Sequence, residues 1–220
     1  MRRTGFALAL LTLILTGPAA AEPTPSFDCA GARSPTEKAI CADPTLAWFD
    51  QQLSRLYGDV RQLQSEGQRA GLRDQQRAWI GQRNACGGQA PCIIRLSWQR
   101  LQALSGLVST RGLTGSYHYA ESYATGELGL VEFPGNRVAG FIETINNSST
   151  HQCSVDMTDL TVTGQTLSWV DPGPADGDGP CRVDITVGSG GAVVAAQNCR
   201  NWCGMSGIFA GRYQRDRTGR

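Results

Sequence analysis

The chain has 220 residues, 40% of them hydrophobic and 18% charged, with a formal net charge of +1. Nothing in that balance points to nucleic acid as a partner. The length suffices for one large or two small domains.

The chain starts Met1-Arg2-Arg3, followed by an uncharged apolar run over 6–15, then Gly17-Pro18 and Ala19-Ala20-Ala21 before Glu22. This pattern predicts a secretory signal peptide over 1–21, removed after Ala21. A bilayer span needs about twenty apolar residues, and this run is half that, so no membrane anchor is expected in the mature form. Lipid attachment would require a cysteine right after the cleavage site, whereas the first cysteine is Cys29. Losing Arg2 and Arg3 leaves eighteen basic and nineteen acidic residues.

The mature part holds eight cysteines: Cys29, Cys41, Cys86, Cys92, Cys153, Cys181, Cys199 and Cys203. In an exported chain an even number reads as four disulfides. Cys199 and Cys203 form a C-x3-C pair and Cys86 and Cys92 a C-x5-C pair, but the two histidines, His118 and His151, do not fall at zinc-ligand spacing. Neither a metal nor another cofactor is expected.

The texture of the chain divides near 107–112. Residues 22–107 are rich in Gln, Arg, Leu and Ala, whereas 108–214 are rich in Gly, Thr, Val and Ser, with a tail over 215–220. Ser34-Pro35-Thr36-Glu37 is a capping box with proline at the first helical position and predicts a short helix over 35–40. Asp43-Pro44 repeats the start signal. Leu46, Phe49, Leu53, Leu56, Tyr57, Val60 and Leu63 then recur at helical spacing, so that face should be buried. A third helix is expected from about Gln68 to Asn84, carrying Leu72, Trp79 and Ile80, and a fourth from near Pro91, carrying Ile93, Ile94, Leu96, Trp98, Leu101 and Leu104. Local pairing, Cys29 with Cys41 and Cys86 with Cys92, is the simplest scheme for this half, although antiparallel packing also permits crossed pairs.

The second half reads as nine short strands, at 114–123, 127–133, 137–145, 151–155, 159–162, 166–170, 182–187, 192–196 and 207–214. Pro134-Gly135-Asn136 and Gly190-Gly191 supply hairpin turns. The expected fold class is therefore α+β in two domains, a disulfide-stapled antiparallel helical domain over 22–107 followed by a small antiparallel β-barrel or sandwich over 108–214. The cysteines divide four and four, and no bridge is expected to cross the boundary near Gly112.

Ser26-Phe27-Asp28-Cys29-Ala30, Ser34 to Cys41, Asp43-Pro44 with Leu46 and Asp50, Gln76-Arg77-Ala78-Trp79, and Arg83-Asn84-Ala85-Cys86 with Cys92 together resemble the N-terminal domain of the LprI family. That family of exported bacterial proteins is named after a mycobacterial lysozyme inhibitor. The resemblance implies a periplasmic or secreted inhibitor of lysozyme or a related muramidase, with a non-inhibitory envelope or stress-related module as the alternative. Its founding member is a lipoprotein, and the missing lipidation cysteine separates this chain from it. Lysozyme inhibitors of the MliC and PliC type use a Ser-Gly-x-x-Tyr loop; the nearest string here, Thr114-Gly115-Ser116-Tyr117, departs from that motif.

No Gly-x-Ser-x-Gly elbow, His-Glu-x-x-His helix or phosphate loop is present, and no enzyme is expected. Glu121, Glu127, Glu132 and Glu143 lie on or near neighbouring predicted strands and read as solvated strand faces. The connection from Asp171 to Pro180 lacks calcium-loop spacing; its acids, Asp171, Asp176 and Asp178, are the candidate partner-binding residues. Residues 22–107 hold ten basic and eight acidic residues, whereas 108–214 hold five basic and ten acidic. An acidic β half would attract a basic protein partner such as lysozyme over long range.

Overall fold

A computed structural model describes residues 23–147, 151–171, 179–203 and 207–216; the expected signal peptide lies outside the described residues. Four helices come first: α1 (Pro35–Ala42), α2 (Pro44–Leu63), α3 (Glu66–Asn84) and α4 (Ala90–Ser105). The expected capping box forms, with the Ser34 hydroxyl accepting from the Glu37 amide and the Glu37 carboxylate accepting from the Ser34 amide. Asp43 caps α2 by accepting from the amides of Thr45 and Leu46. A second box at Ser65 and Gln68 starts α3 two residues earlier than the sequence pattern places it.

Disulfides join Cys29 to Cys41 and Cys86 to Cys92, the local scheme. The first ties the segment before α1 to its end, and the second closes the turn between α3 and α4. The apolar stripe of α2 is buried from Leu46 to Val60 apart from the half-buried Tyr57, but Leu63 is 63% exposed because α2 ends there, one turn past its last packed residue. Ile80 is also exposed, since its neighbour Trp79 takes the inward position on α3.

The second half is a closed barrel of eight antiparallel strands in sequence order: β1 (Gly115–Ala120), β2 (Ala124–Phe133), β3 (Arg137–Asn146), β4 (Gln152–Thr163), β5 (Thr166–Val170), β6 (Arg182–Gly188), β7 (Gly191–Gln197) and β8 (Gly211–Arg215). Closure removes the free edges of a sheet. The strands expected at 151–155 and 159–162 are one strand, β4. It continues through a one-residue bulge, where the β3 register slips between Val138 and Gly140 and Asp159 takes a φ of 53°. Inward side chains, including Tyr117, Leu128, Leu130, Ile142, Met157 and Tyr213, fill the interior, so the barrel is a packed core and not a ligand cup.

The disulfides respect the boundary near Gly112, but the hydrophobic core does not. Trp48, Phe49, Leu53 and Leu56 of α2 and Trp98 and Leu101 of α4 form one cluster with Val131, Phe133 and Ala139, which point outward from β2 and β3. Phe141 sits at its centre, with its ring centroid 5.4 Å from Trp98, 5.6 Å from Phe49 and 6.4 Å from Trp48. Polar contacts register the seam. Trp48 Nε1 donates to Thr158 Oγ1 at 3.0 Å, Trp98 Nε1 donates to Ser116 Oγ at 2.9 Å, and Arg55 pairs with Asp159 at 2.7 Å. Arg137 pairs with Asp59 and, with Arg55, lies over the Phe133 ring. Each half is stapled by its own two disulfides, as expected from the sequence, and a hydrophobic cluster packs the two halves against each other.

Glu132 corrects another expectation. Its side chain is on the inward side of β2 and only 4% of the residue is exposed, so it is no solvated strand face. The carboxylate accepts from the amides of Arg111 (3.1 Å) and Leu113 (2.8 Å) and from the Ser109 hydroxyl. Ser105 donates to the Glu132 carbonyl at 2.8 Å. Helix α4 and the connection to β1 are thereby clasped to one end of the barrel. A buried carboxylate is tolerated when its lone pairs are filled in this way.

Asp156 has a less favourable setting. It faces outward from β4, beneath the first turn of α2, and burial pushes its carboxyl up to about 6, opposed by a hydrogen bond from Thr45 and reinforced by the charges of Asp43 and Glu143. Below the ordinary carboxylate range Asp156 is neutral folded or unfolded and costs nothing. As pH rises through about 6 the folded protein must hold the charge at the seam, so stability falls. Asp156→Asn should raise unfolding free energy by about 1–3 kcal/mol at pH 7.5 and leave it unchanged at pH 3.5. Urea denaturation at both pH values checks this; an equal effect at the two would refute it.

Candidate functional site

In an up-and-down barrel, alternate connections emerge at opposite ends. The connections 134–136, 164–165 and 189–190 are tight turns, and this end is also covered by the Glu132 clasp. The other end carries 121–123 and the longer connections 147–151, 171–181 and 198–210. Both barrel disulfides are here: Cys181–Cys199 joins the start of β6 to the end of β7, and Cys153–Cys203 ties the last connection to β4. Thr144 Oγ1 also donates to the Ile208 carbonyl at 2.8 Å and Tyr213 Oη to the Phe209 carbonyl at 2.8 Å. The described parts of 198–210 are thus fastened to β3, β4, β6 and β8.

This end also collects apolar surface. Of the nine large hydrophobic residues exposed among the described residues, Tyr123, Ile145, Val170, Trp202 and Ile208 are at the loop-bearing end. The two aromatics are held in place. Trp202 Nε1 donates to Asp171 Oδ2 at 2.9 Å, and its ring meets Trp169 edge-on with centroids 6.0 Å apart. Tyr123 shares a 2.8 Å hydroxyl contact with the buried Tyr119. Burial and the Tyr123 neighbour push the Tyr119 phenol well above its usual range.

Of the acids expected to bind a partner, Asp171 is therefore at this end, orienting Trp202; Asp176 and Asp178 lie outside the described residues. Tyr123 and Trp202 are what the sequence reading missed. The signal available for Trp202 was its place between two half-cystines in Cys199-Arg200-Asn201-Trp202-Cys203.

Elsewhere the candidate chemistry disperses. His118 faces outward on β1 with Nε2 3.4 Å from the Asp216 carboxylate, and His151 begins β4's approach beside Cys153. Glu127 and Glu143 are cross-strand neighbours on the outer face of β2 and β3, the latter accepting from Gln152. Among the described residues no group of three or more His, Cys, Asp or Glu is placed to hold a metal. Thr114 to Tyr117, the string nearest the inhibitory loop motif, is consumed by structure: Ser116 accepts from Trp98 and Tyr117 Oη donates to the Leu113 carbonyl.

The residues of the helical signature also turn inward. Asp50 and Arg83 form a buried pair at 2.9 Å. The second Asp50 oxygen accepts from the amide and hydroxyl of Ser26, and the guanidinium lies 5.2 Å from the Trp79 ring centroid. Thr36 Oγ1 donates to the Gly87 carbonyl at 2.6 Å, fixing α1 against the end of α3. Residues 29–104 match the family model described as Lysozyme inhibitor LprI. The match covers the helical part of the chain and none of the barrel. No curated protein and no solved structure matches the chain. The LprI signature here consists of cysteines, caps and a buried ion pair, all of which hold the domain together. Among the described residues, no helix is long and apolar enough to cross a membrane.

Proposed function

We propose that the protein is an exported inhibitor of lysozyme or a related muramidase, acting outside the cytoplasm after removal of residues 1–21. The LprI match over 29–104 carries this reading. Four disulfides suit an oxidising compartment, and the acidic β half suits a basic partner. Inhibition proceeds by occlusion of the lysozyme cleft, without chemistry on the substrate.

The test is the turbidity of a bacterial cell-wall suspension during lysis by a basic lysozyme, with purified protein starting at Glu22. Micromolar inhibitor should slow clearing, and the slowing should weaken as salt rises, because attraction between opposite charges is screened. Unchanged lysis by several lysozyme classes at micromolar excess would leave a non-inhibitory envelope module as the reading to pursue.

A further inference from the structure

We infer that the loop-bearing end of the barrel, centred on Trp202 and Tyr123, is the face that meets the basic lysozyme; this rests on the inhibitor reading above.

Three other surfaces are already committed. On the outer face of β2 and β3, Val131, Phe133, Ala139 and Phe141 are covered by α2 and α4 through the shared core. The opposite barrel end carries only short turns and the Glu132 clasp, and none of the nine exposed large hydrophobic residues lies in those turns. The helical half carries the wrong charge, with ten basic and eight acidic residues over 22–107, and its family residues face inward. A basic partner is repelled there and attracted to the β half, where 108–214 hold twice as many acidic as basic residues.

The loop end has what a tight interface requires. Binding energy concentrates in a few aromatic anchors, and an anchor already fixed in its bound rotamer loses little entropy on association. Trp202 is fixed by Asp171 and Trp169, and Tyr123 by Tyr119, yet each keeps a third or more of its surface in water. Cys181–Cys199 and Cys153–Cys203 immobilise the backbone beneath Trp202. Glu121, exposed in the turn next to Tyr123, adds a negative charge that can steer encounter. The occupant is therefore a protein whose binding patch combines lysine or arginine with an apolar recess deep enough for an indole.

Calorimetry of the full mature chain with a basic lysozyme tests this at two salt concentrations, with melting temperature as the control for folding. Trp202→Ala and Tyr123→Ser should each weaken binding by at least about tenfold with melting within a few degrees of the parent. Glu121→Lys should slow association without changing the melt. Arg69→Ser with Arg73→Ser, on α3, should bind as the parent does. Parental affinity in all three loop-end variants, or loss only in the α3 variant, overturns the placement while leaving inhibition intact. Absence of any binding by the parent chain fails the inhibitor reading itself. Self-association that Trp202→Ala abolishes, with lysozyme affinity unaffected, assigns this face to a second copy and also overturns the placement.

Discussion

Phe141→Ala should cost about 3 kcal/mol of unfolding free energy and split one unfolding transition into two. The ring is the only aromatic of β3 facing the helices, and it meets Trp48, Phe49 and Trp98 together. Removing it leaves a gap that three large rings on two different helices cannot close at once, which is the costly case for cavity formation. Gly129 supplies a second route to the same result. A Cβ there would lie 2.2 Å from the Phe141 ring, so Gly129→Ala must push the ring out of the seam. The two effects share one cause and should not add: Gly129→Ala should be strongly destabilising in the parent and nearly neutral in Phe141→Ala. In the parent, far-ultraviolet dichroism, dominated by the helices, and hydrogen exchange of barrel amides followed through the same urea series should report the same midpoint. Additive costs, or separate midpoints already in the parent, would mean that the halves fold alone.

The helical half was legible because its signals are local. Ser34-Pro35-Thr36-Glu37 and Asp43-Pro44 satisfy orphan amides within a few residues, and the α2 stripe follows helical period up to Val60. β5 was legible for the same reason, bounded by Gly164-Gln165 and Asp171-Pro172. What failed depended on distant partners. Residues 156–158 read as a break between strands, yet Thr158 is occupied by Trp48 and Gln52, and Arg55 holds Asp159 at a bulge inside β4. Glu132 alternates in sequence onto a wet face, but the chain that reaches it, Ser109 to Leu113, covers it at the barrel end. One clue to docking did stand in the sequence. Leu128 to Phe133 is nearly continuous in apolar residues and glycine, the pattern of a strand buried on both faces. The candidate partner face was least legible, because exposure of Tyr123 and Trp202 is decided by barrel closure and not by neighbours in sequence.

On the proposed inhibitor reading, Arg83→Ala should remove about 3–5 kcal/mol of stability while leaving lysozyme affinity unchanged at any temperature where the variant is still folded. The pair is buried, with side chains 11% and 8% exposed for Arg83 and Asp50, so deleting the cation strands a carboxylate that only Ser26 still solvates. The indole of Trp79 would lose the guanidinium above it as well. Replacing both charges, Asp50→Leu with Arg83→Met, removes the desolvated ions together and should recover most of the loss, since a buried pair gains little net energy over apolar side chains of similar volume. Calorimetric melting of the single and double variants measures the first half of this argument, and titration with lysozyme at low temperature measures the second. If Asp50 and Arg83 served the partner surface, the double variant would melt near the parent yet fail to bind. Retained binding would mean that the LprI pattern encodes the scaffold, and that the face presented to the partner varies independently of it.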